Sequence, residues 1–479
     1  MRRVTNQLVV MGVLAAVCGG SLAAAHAVQP SWNVVLILAD DLGWNSLACY
    51  GSDLHATPRL DQLAAGGVRF TQAYAAAPVC TPTRASLLTG KYPARLQLTK
   101  WRESAAEPGT GRLLEPIARR DLPLEELTLA EVFQAAGYFT AHVGKWHLGS
   151  AEYYPQAHGF HVNIGGTLWG APQTFFYPFR GRQYAREFRY VPDLEPGRQG
   201  DYLTDRLTDR ALEMIDAAGD RPFFLNLWFH TVHTPIEGKP ALVAKYRALV
   251  KPDAIHRNPD YAAMVESLDE NVGRVLDKLA DKGIADRTLV VFLSDNGGYV
   301  GTCRYQPDMP VTSNAPLRSG KGSLYEGGIR VPLIVKWPGQ APAGAVCHTP
   351  VCSCDLYPTL LAATGVRHDS LPAVDGLDVT PLLADPDVVR PPRPLFFHYP
   401  HYYATTTPVS AIRLGDWKLL EYAEDRHVEL YDLGSDVGEA SELSQRLPDR
   451  AADLRAQLQQ WREEVQAQMP QPNPDWTGP

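Results

Sequence analysis

Asn33-Val34-Val35-Leu36-Ile37-Leu38-Ala39 is a strand-length run with no polar alternation. Similar runs recur at 138–143, 223–228, 288–293 and 331–335. A strand without alternation is buried on both faces, which requires helices on either side of its sheet. The intervening segments supply them. Leu203, Leu207, Ala211 and Ile215 repeat at helical spacing, as do Met264, Leu268, Val272, Val275 and Leu279. The fold class this implies is α/β, with a mostly parallel central sheet flanked by helices. In such sheets ligands bind beyond the carboxyl ends of the strands.

The pattern changes after the Pro-rich stretch 385–394. Segments 410–413, 417–422 and 428–431 read as short antiparallel strands. A final helix presents Leu454, Leu458, Trp461, Val465 and Met469 on one face and ends at Pro470. At the other end, Arg2 and Arg3 precede an apolar, small-residue run over 8–22, and Ala25-His26-Ala27 offers a cleavage site. The run is short for a membrane span. The expected organisation is a signal peptide at 1–27, a large domain at 28–390 and a small α+β subdomain at 391–479. The protein is expected to be exported, periplasmic or secreted, with no stable membrane span. Its formal charge is -8 and no Lys/Arg block stands out, which argues against nucleic acid as a partner.

Four segments carry chemistry. In Cys80-Thr81-Pro82-Thr83-Arg84, Pro82 lies in the first turn of a helix that Gly90 stops, placing Cys80 at the helix N-terminus, where N–H groups favour an anion. Asp40 and Asp41 follow the first strand, and Asp295 and Asn296 end another. Together they offer hard oxygen ligands suited to Ca²⁺ or Mg²⁺. Lys145 and His147 sit two apart in Gly144-Lys145-Trp146-His147-Leu148-Gly149. His230 and His233 follow the strand at 223–228, and Lys321 lies in a glycine-rich loop before the strand at 331–335.

Cys-x-Pro-x-Arg followed by Ala85-Ser86-Leu87-Leu88-Thr89-Gly90 resembles the signature of the type I sulfatases, in the arylsulfatase-A-like and N-acetylgalactosamine-sulfatase-like branch of the alkaline phosphatase superfamily. The resemblance runs from about Trp32 into the C-terminal region. It implies an alkaline-phosphatase-like fold and hydrolysis of sulfate esters. It also implies that a formylglycine-generating enzyme oxidises Cys80 to formylglycine. The hydrated aldehyde attacks sulfur with one hydroxyl and expels sulfate with the other. Asp40, Asp41, Asp295 and Asn296 then bind the metal, calcium in preference to magnesium, with the modified Cys80 completing the shell. Arg84, Lys145, Lys321 and protonated His233 surround the sulfate, His147 bonds the diol, and His233 faces the leaving oxygen.

The substrate implied is a sulfated small molecule or saccharide, with exo-acting removal of sulfate from a carbohydrate. Trp101, Arg102, His398 and His401, with the aromatic stretch 168–184 and the rest of the segment 398–403, are the residues expected at the pocket mouth. Two other readings stay open. One is a phosphonate monoester or phosphodiester hydrolase on the same scaffold; the other is a non-catalytic glycan-binding paralogue.

Overall fold

The computed structural model describes residues 32–478 apart from 106–108, 110, 183–186, 304–305 and 369–370. The leader expected at 1–27 lies outside the described residues. The central sheet contains β1 (Asn33–Ala39), β2 (Val68–Tyr74), β3 (Phe139–Gly144), β4 (Val162–Ile164), β5 (Phe223–Trp228), β6 (Thr288–Ser294), β7 (Arg330–Lys336), β8 (Ala345–Cys347) and β9 (Val351–Cys352). The order is β8-β2-β7-β6-β1-β5-β3-β4, with β9 also on β2. β1 pairs in parallel with β5 and β6, and β3 with β5 and β4. Only β7 opposes its neighbours, pairing antiparallel with β2 and β6.

Both faces of the sheet are covered, as the unalternating strands require. Val35, Ile37 and Ala39 point into one apolar cluster with α4 (Leu203–Ala217) and α5 (Pro259–Asp281). Val34, Leu36 and Leu38 point into another with α2 (Cys80–Thr89) and α6 (Leu356–Thr364). These helices join α1 (Pro58–Ala65) and α3 (Leu129–Ala135), the latter opened by a Thr128–Glu131 capping box. No helix among the described residues is long and apolar enough to cross a membrane.

A second sheet follows with order β10-β11-β12-β13, spanning Pro394–Tyr399, Val409–Leu414, Trp417–Tyr422 and Val428–Asp432, antiparallel throughout. α7 (Pro448–Glu464) buries Leu454, Leu458 and Trp461 against it. The helix stops earlier than its apolar stripe suggests. Gln466 takes a left-handed φ of 54°, breaking the helical path, and Met469 lies beyond it, 37% exposed.

Candidate active site

The parallel strands deliver their following residues to one edge of the sheet. β1 ends in Asp40 and Asp41, β6 in Asp295 and Asn296, β3 in Lys145 and His147, and β5 in His230 and His233. β7 runs the other way, so it is the loop before it that reaches this edge, and that loop carries Lys321. The lone antiparallel strand thereby adds a lysine to a site otherwise built from strand ends. α2 starts at Cys80 on the same side, and its N-cap Val79 offers no side-chain acceptor to the first amides.

Cys80, Lys321, His233, Asp41 and His147 line one cleft of about 530 Å³, together with Trp101, Glu103, Gly170, Arg189 and Tyr403. Cys80 Sγ lies 3.3 Å from His147 Nδ1, and His147 Nε2 donates to Glu103 Oε2 at 2.6 Å. The other Glu103 oxygen accepts from the Gly170 amide at 3.0 Å. A Cβ on Gly170 would run into the His147 ring, so a glycine is needed there. Burial favours a neutral His147, but Glu103 and the sulfur reverse that and raise its pKa. Burial likewise opposes a Cys80 thiolate, yet Lys145 and His147 bring the thiol down to about 6.

On the opposite wall Lys321 Nζ donates to Asp41 Oδ2 at 2.9 Å and to His233 Nε2 at 3.0 Å. His233 Nδ1 donates to Thr234 O at 2.8 Å. Burial and the Lys321 charge push the His233 pKa well below the usual range. Both effects disfavour the imidazolium expected at His233, and Lys321 Nζ is the donor between the two side chains.

Arg84 and Lys145 are not at the cleft surface, where the sequence placed them around the sulfate. Both are fully buried behind it. Arg84 donates to Asp295 Oδ2 from Nε at 3.0 Å and Nη2 at 2.7 Å, and lies over the Trp228 ring at 5.1 Å. Lys145 donates to Asp40 Oδ2 at 2.6 Å. Carboxylates in a buried setting capture the nearest cations, and these two hold the carboxylates in place.

The ligand set expected for a metal does converge. Asp40, Cys80 and Asp295 bring ligand atoms within 4.8 Å of one another, as do Asp40, Asp41 and His233. Asn296 Nδ2 donates to Asp41 Oδ1 at 2.8 Å, leaving its own carbonyl free. Asp40 Oδ1 and Asn296 Oδ1 are both buried without a hydrogen-bond donor. Burial and the adjacent Asp295 push the Asp40 pKa well above the usual carboxylate range, despite Lys145 and Arg84. Two unpartnered oxygens beside three clustered carboxylates are hard donors of the kind that suits a divalent cation.

Of the four residues expected at the pocket mouth, one is there. Trp101 lines the cleft, edge-on to Tyr403 at 5.5 Å. Arg102 turns away to Asp121 at 3.1 Å. His398 is buried in β10 between Ser410 Oγ at 2.8 Å and Gln468 O at 2.9 Å. His401 is buried between Thr99 Oγ1 and Glu115 Oε2, each at 2.8 Å. Their donors are consumed in tying segments together. His142 and the Glu326–Arg330 pair do not line the cleft. His142 bonds Asn226 Nδ2 at 3.0 Å, and Arg330 Nη1 stands 3.4 Å from Glu326 Oε2. Gly170 and Tyr403 come from the stretches 168–184 and 398–403 expected at the mouth, whereas Glu103 and Arg189 were not foreseen. They lie in a short 3-10 turn and a two-residue strand, with no periodicity and no motif, and only the fold brings them to the cleft.

A family model described as "Sulfatase" matches residues 32–366, and one described as "N-sulphoglucosamine sulphohydrolase, C-terminal" matches residues 320–468. Arylsulfatase A of Homo sapiens is 37% identical, over 83% of this chain and 76% of its own length. The N-acetylgalactosamine-6-sulfatase of Canis lupus familiaris is 33% identical, over 85% of this chain and 74% of its own. The solved structure of Ps i-CgsB in complex with k-i-k-neocarrahexaose matches with a TM-score of 0.75 at 30% identity, covering 90% of this chain and 92% of that one. The chain belongs to the sulfatase family, in its arylsulfatase-A-like and N-acetylgalactosamine-sulfatase-like branch, and is a sulfatase enzyme.

Proposed function

We propose that this sulfatase works through a formylglycine made from Cys80, with a bound calcium ion, and removes sulfate from the end of a sulfated carbohydrate. The observation that carries this reading is the pair of orphaned oxygens, Asp40 Oδ1 and Asn296 Oδ1, in the carboxylate cluster that also brings Cys80 Sγ beside Asp40 and Asp295. Asp40, Asp41, Asp295 and Asn296 would hold the ion, with the modified side chain of residue 80. Held by these residues, the ion would supply positive charge against the sulfate and the hydrated aldehyde.

Cys80 Sγ stands where an oxygen of the formylglycine diol would be. His147, oriented by Glu103, holds a proton at Nδ1 against that position. Arg84 and Lys145 hold the Asp295 and Asp40 carboxyl groups in position from behind. On the far wall, Lys321 carries the proton and His233 accepts it across 3.0 Å, so the pair can supply a proton to a departing alcohol. One diol hydroxyl forms the bond to sulfur as the alcohol leaves. Loss of the proton from the other reforms the aldehyde and breaks the bond to sulfate.

The saccharide named in the Ps i-CgsB complex and the named N-acetylgalactosamine-6-sulfatase support a carbohydrate substrate, with a galactose-type ring sulfated at position 4 or 6 as the specific reading. Export through a leader at 1–27 and conversion by a formylglycine-generating enzyme belong to the same proposal. Intact mass of the peptide containing residue 80 reports conversion directly. The converted protein is expected to hydrolyse aryl sulfates faster than aryl phosphonates, and Cys80→Ala to fold and lose about 10⁴-fold or more of that activity. A large phosphonate preference would instead select the phosphonate monoester reading, and full activity from the unconverted thiol would sink the mechanism.

A further inference from the structure

Arg189 stands in the same cleft as Cys80 and Lys321, with its side chain 13% exposed. Its backbone is fixed in a two-stranded ribbon, paired across from Gly181. Its guanidinium lies over the Trp169 ring at 5.2 Å, so the head group is held without using its N–H donors. Those donors are poorly served. Its nearest described carboxylates are Glu103 Oε1 at 3.8 Å and Glu187 Oε2 at 3.7 Å, both beyond hydrogen-bonding distance. Arg189 Nε is buried without a partner.

Neither carboxylate cancels the charge. Glu103 already accepts from His147 Nε2 on one oxygen and from the Gly170 amide on the other. The Glu187 side chain is 59% exposed, where water screens the pair. A guanidinium is a planar fork that matches the two oxygens of a sulfate or carboxylate. One left under-bonded in a substrate cleft, beside the residue that orients His147, is placed to take such a group. Lys321 and the proposed calcium serve the sulfate that is cleaved, and Arg189 faces the cleft from the Glu103 side.

We propose that Arg189 recognises a second oxyanion on the substrate, making the cleft selective for saccharides that carry another sulfate or a carboxylate beside the scissile sulfate. This rests on the carbohydrate sulfatase reading above. It assigns Arg189 to specificity, not to the chemical step.

Three matched substrates test it: a saccharide with a single sulfate, the same ring with a second sulfate, and the singly sulfated ring joined to a uronic acid. Wild type is expected to prefer at least one doubly acidic substrate in kcat/KM by about tenfold, the equivalent of one charge-assisted hydrogen bond. Arg189→Gln should abolish that ratio and Arg189→Lys should keep part of it. Which doubly acidic substrate is favoured identifies the oxyanion. Equal activity of wild type on all three overturns the proposal. So does an equal loss on all three in Arg189→Gln, which would mean that Arg189 acts only by supporting Glu103. Calorimetric binding of the same saccharides to unconverted wild type and Arg189→Gln gives a readout without turnover. A binding preference lost in Arg189→Gln, with no sulfate released by converted protein, would sustain the recognition site and remove the sulfatase mechanism instead.

Discussion

Two clusters of buried charge differ in how completely they are closed. At the sheet edge, Asp40, Asp41 and Asp295 face Arg84, Lys145 and Lys321, yet Asp40 Oδ1 and Asn296 Oδ1 have no donor. Between the two sheets, Lys418 Nζ lies 2.9 Å from Glu326 Oε1 and 2.8 Å from Glu439 Oε1, the latter close but poorly aligned. Glu326 Oε2 also accepts from the Tyr74 hydroxyl at 2.7 Å, and Glu439 Oε2 from the Glu326 amide at 2.7 Å. Arg413 bonds the same Tyr74 hydroxyl. Every carboxylate oxygen in this second cluster has a proton donor within reach. The one oxygen of the second cluster without a hydrogen bond, Glu439 Oε1, still has Lys418 Nζ at 2.8 Å, whereas the two of the first cluster have no such cation against them. A closed network fixes how parts of a fold meet, whereas an open one is shaped for something that arrives later.

The largest effect should come from opening the closed cluster. Lys418→Met leaves Glu326 and Glu439 facing each other in a fully buried place and is expected to cost about 3 kcal/mol or more in urea unfolding. A loss under about 1 kcal/mol would mean that the network does not hold the sheets together. The next effect comes from completing the open cluster. Calcium at about a hundredfold over its Kd should stabilise the protein by about 2.7 kcal/mol, seen as a rise in Tm that a chelator reverses and Asp295→Asn prevents. If calcium left the Tm of wild type unmoved, the orphaned oxygens would need another explanation.

The smallest concerns Glu439. Burial and the nearby Glu326 outweigh Lys418 and push its carboxyl up from 4.5 to about 7. Its protonated form is favoured in the fold. The contribution is therefore complete below pH 4.5 and is lost as the pH rises through about 7. Glu439→Gln should flatten the Tm profile across that window, and an unchanged slope would show that other groups set it.

These clusters also mark what was legible from sequence. Strands β1, β3, β5, β6 and β7 announced themselves because burial on both faces leaves mostly apolar positions, with His142 and Asn226 pairing with each other where a polar residue remains. β2 did not: Val68-Arg69-Phe70-Thr71-Gln72-Ala73-Tyr74 mixes polar and apolar positions, with Gln72 meeting Arg413 and the Thr71 carbonyl meeting Arg330. The motifs located the residues of the cleft wall, since strand ends in a parallel sheet converge whatever the loop lengths. They could not say which way a cation turns. Arg84 and Lys145 went to carboxylates, and His398 and His401 to segment ties, because pairing in a buried place is decided by three-dimensional neighbours. Glu103 had no signal at all, being 44 residues from the histidine it orients.

The grip of the C-terminal segment on Lys321 has a consequence for timing. Thr405 Oγ1 donates to the Lys321 carbonyl at 2.8 Å, and Gly322, with φ of 89°, lies so close to Tyr403 that a Cβ would collide with its ring. Cys80 itself is 3% exposed once this is assembled. The nucleophile's precursor is thus synthesised early and the clasp over its partner lysine late. Under the proposed conversion, the interval between the two is when an enzyme can reach the thiol.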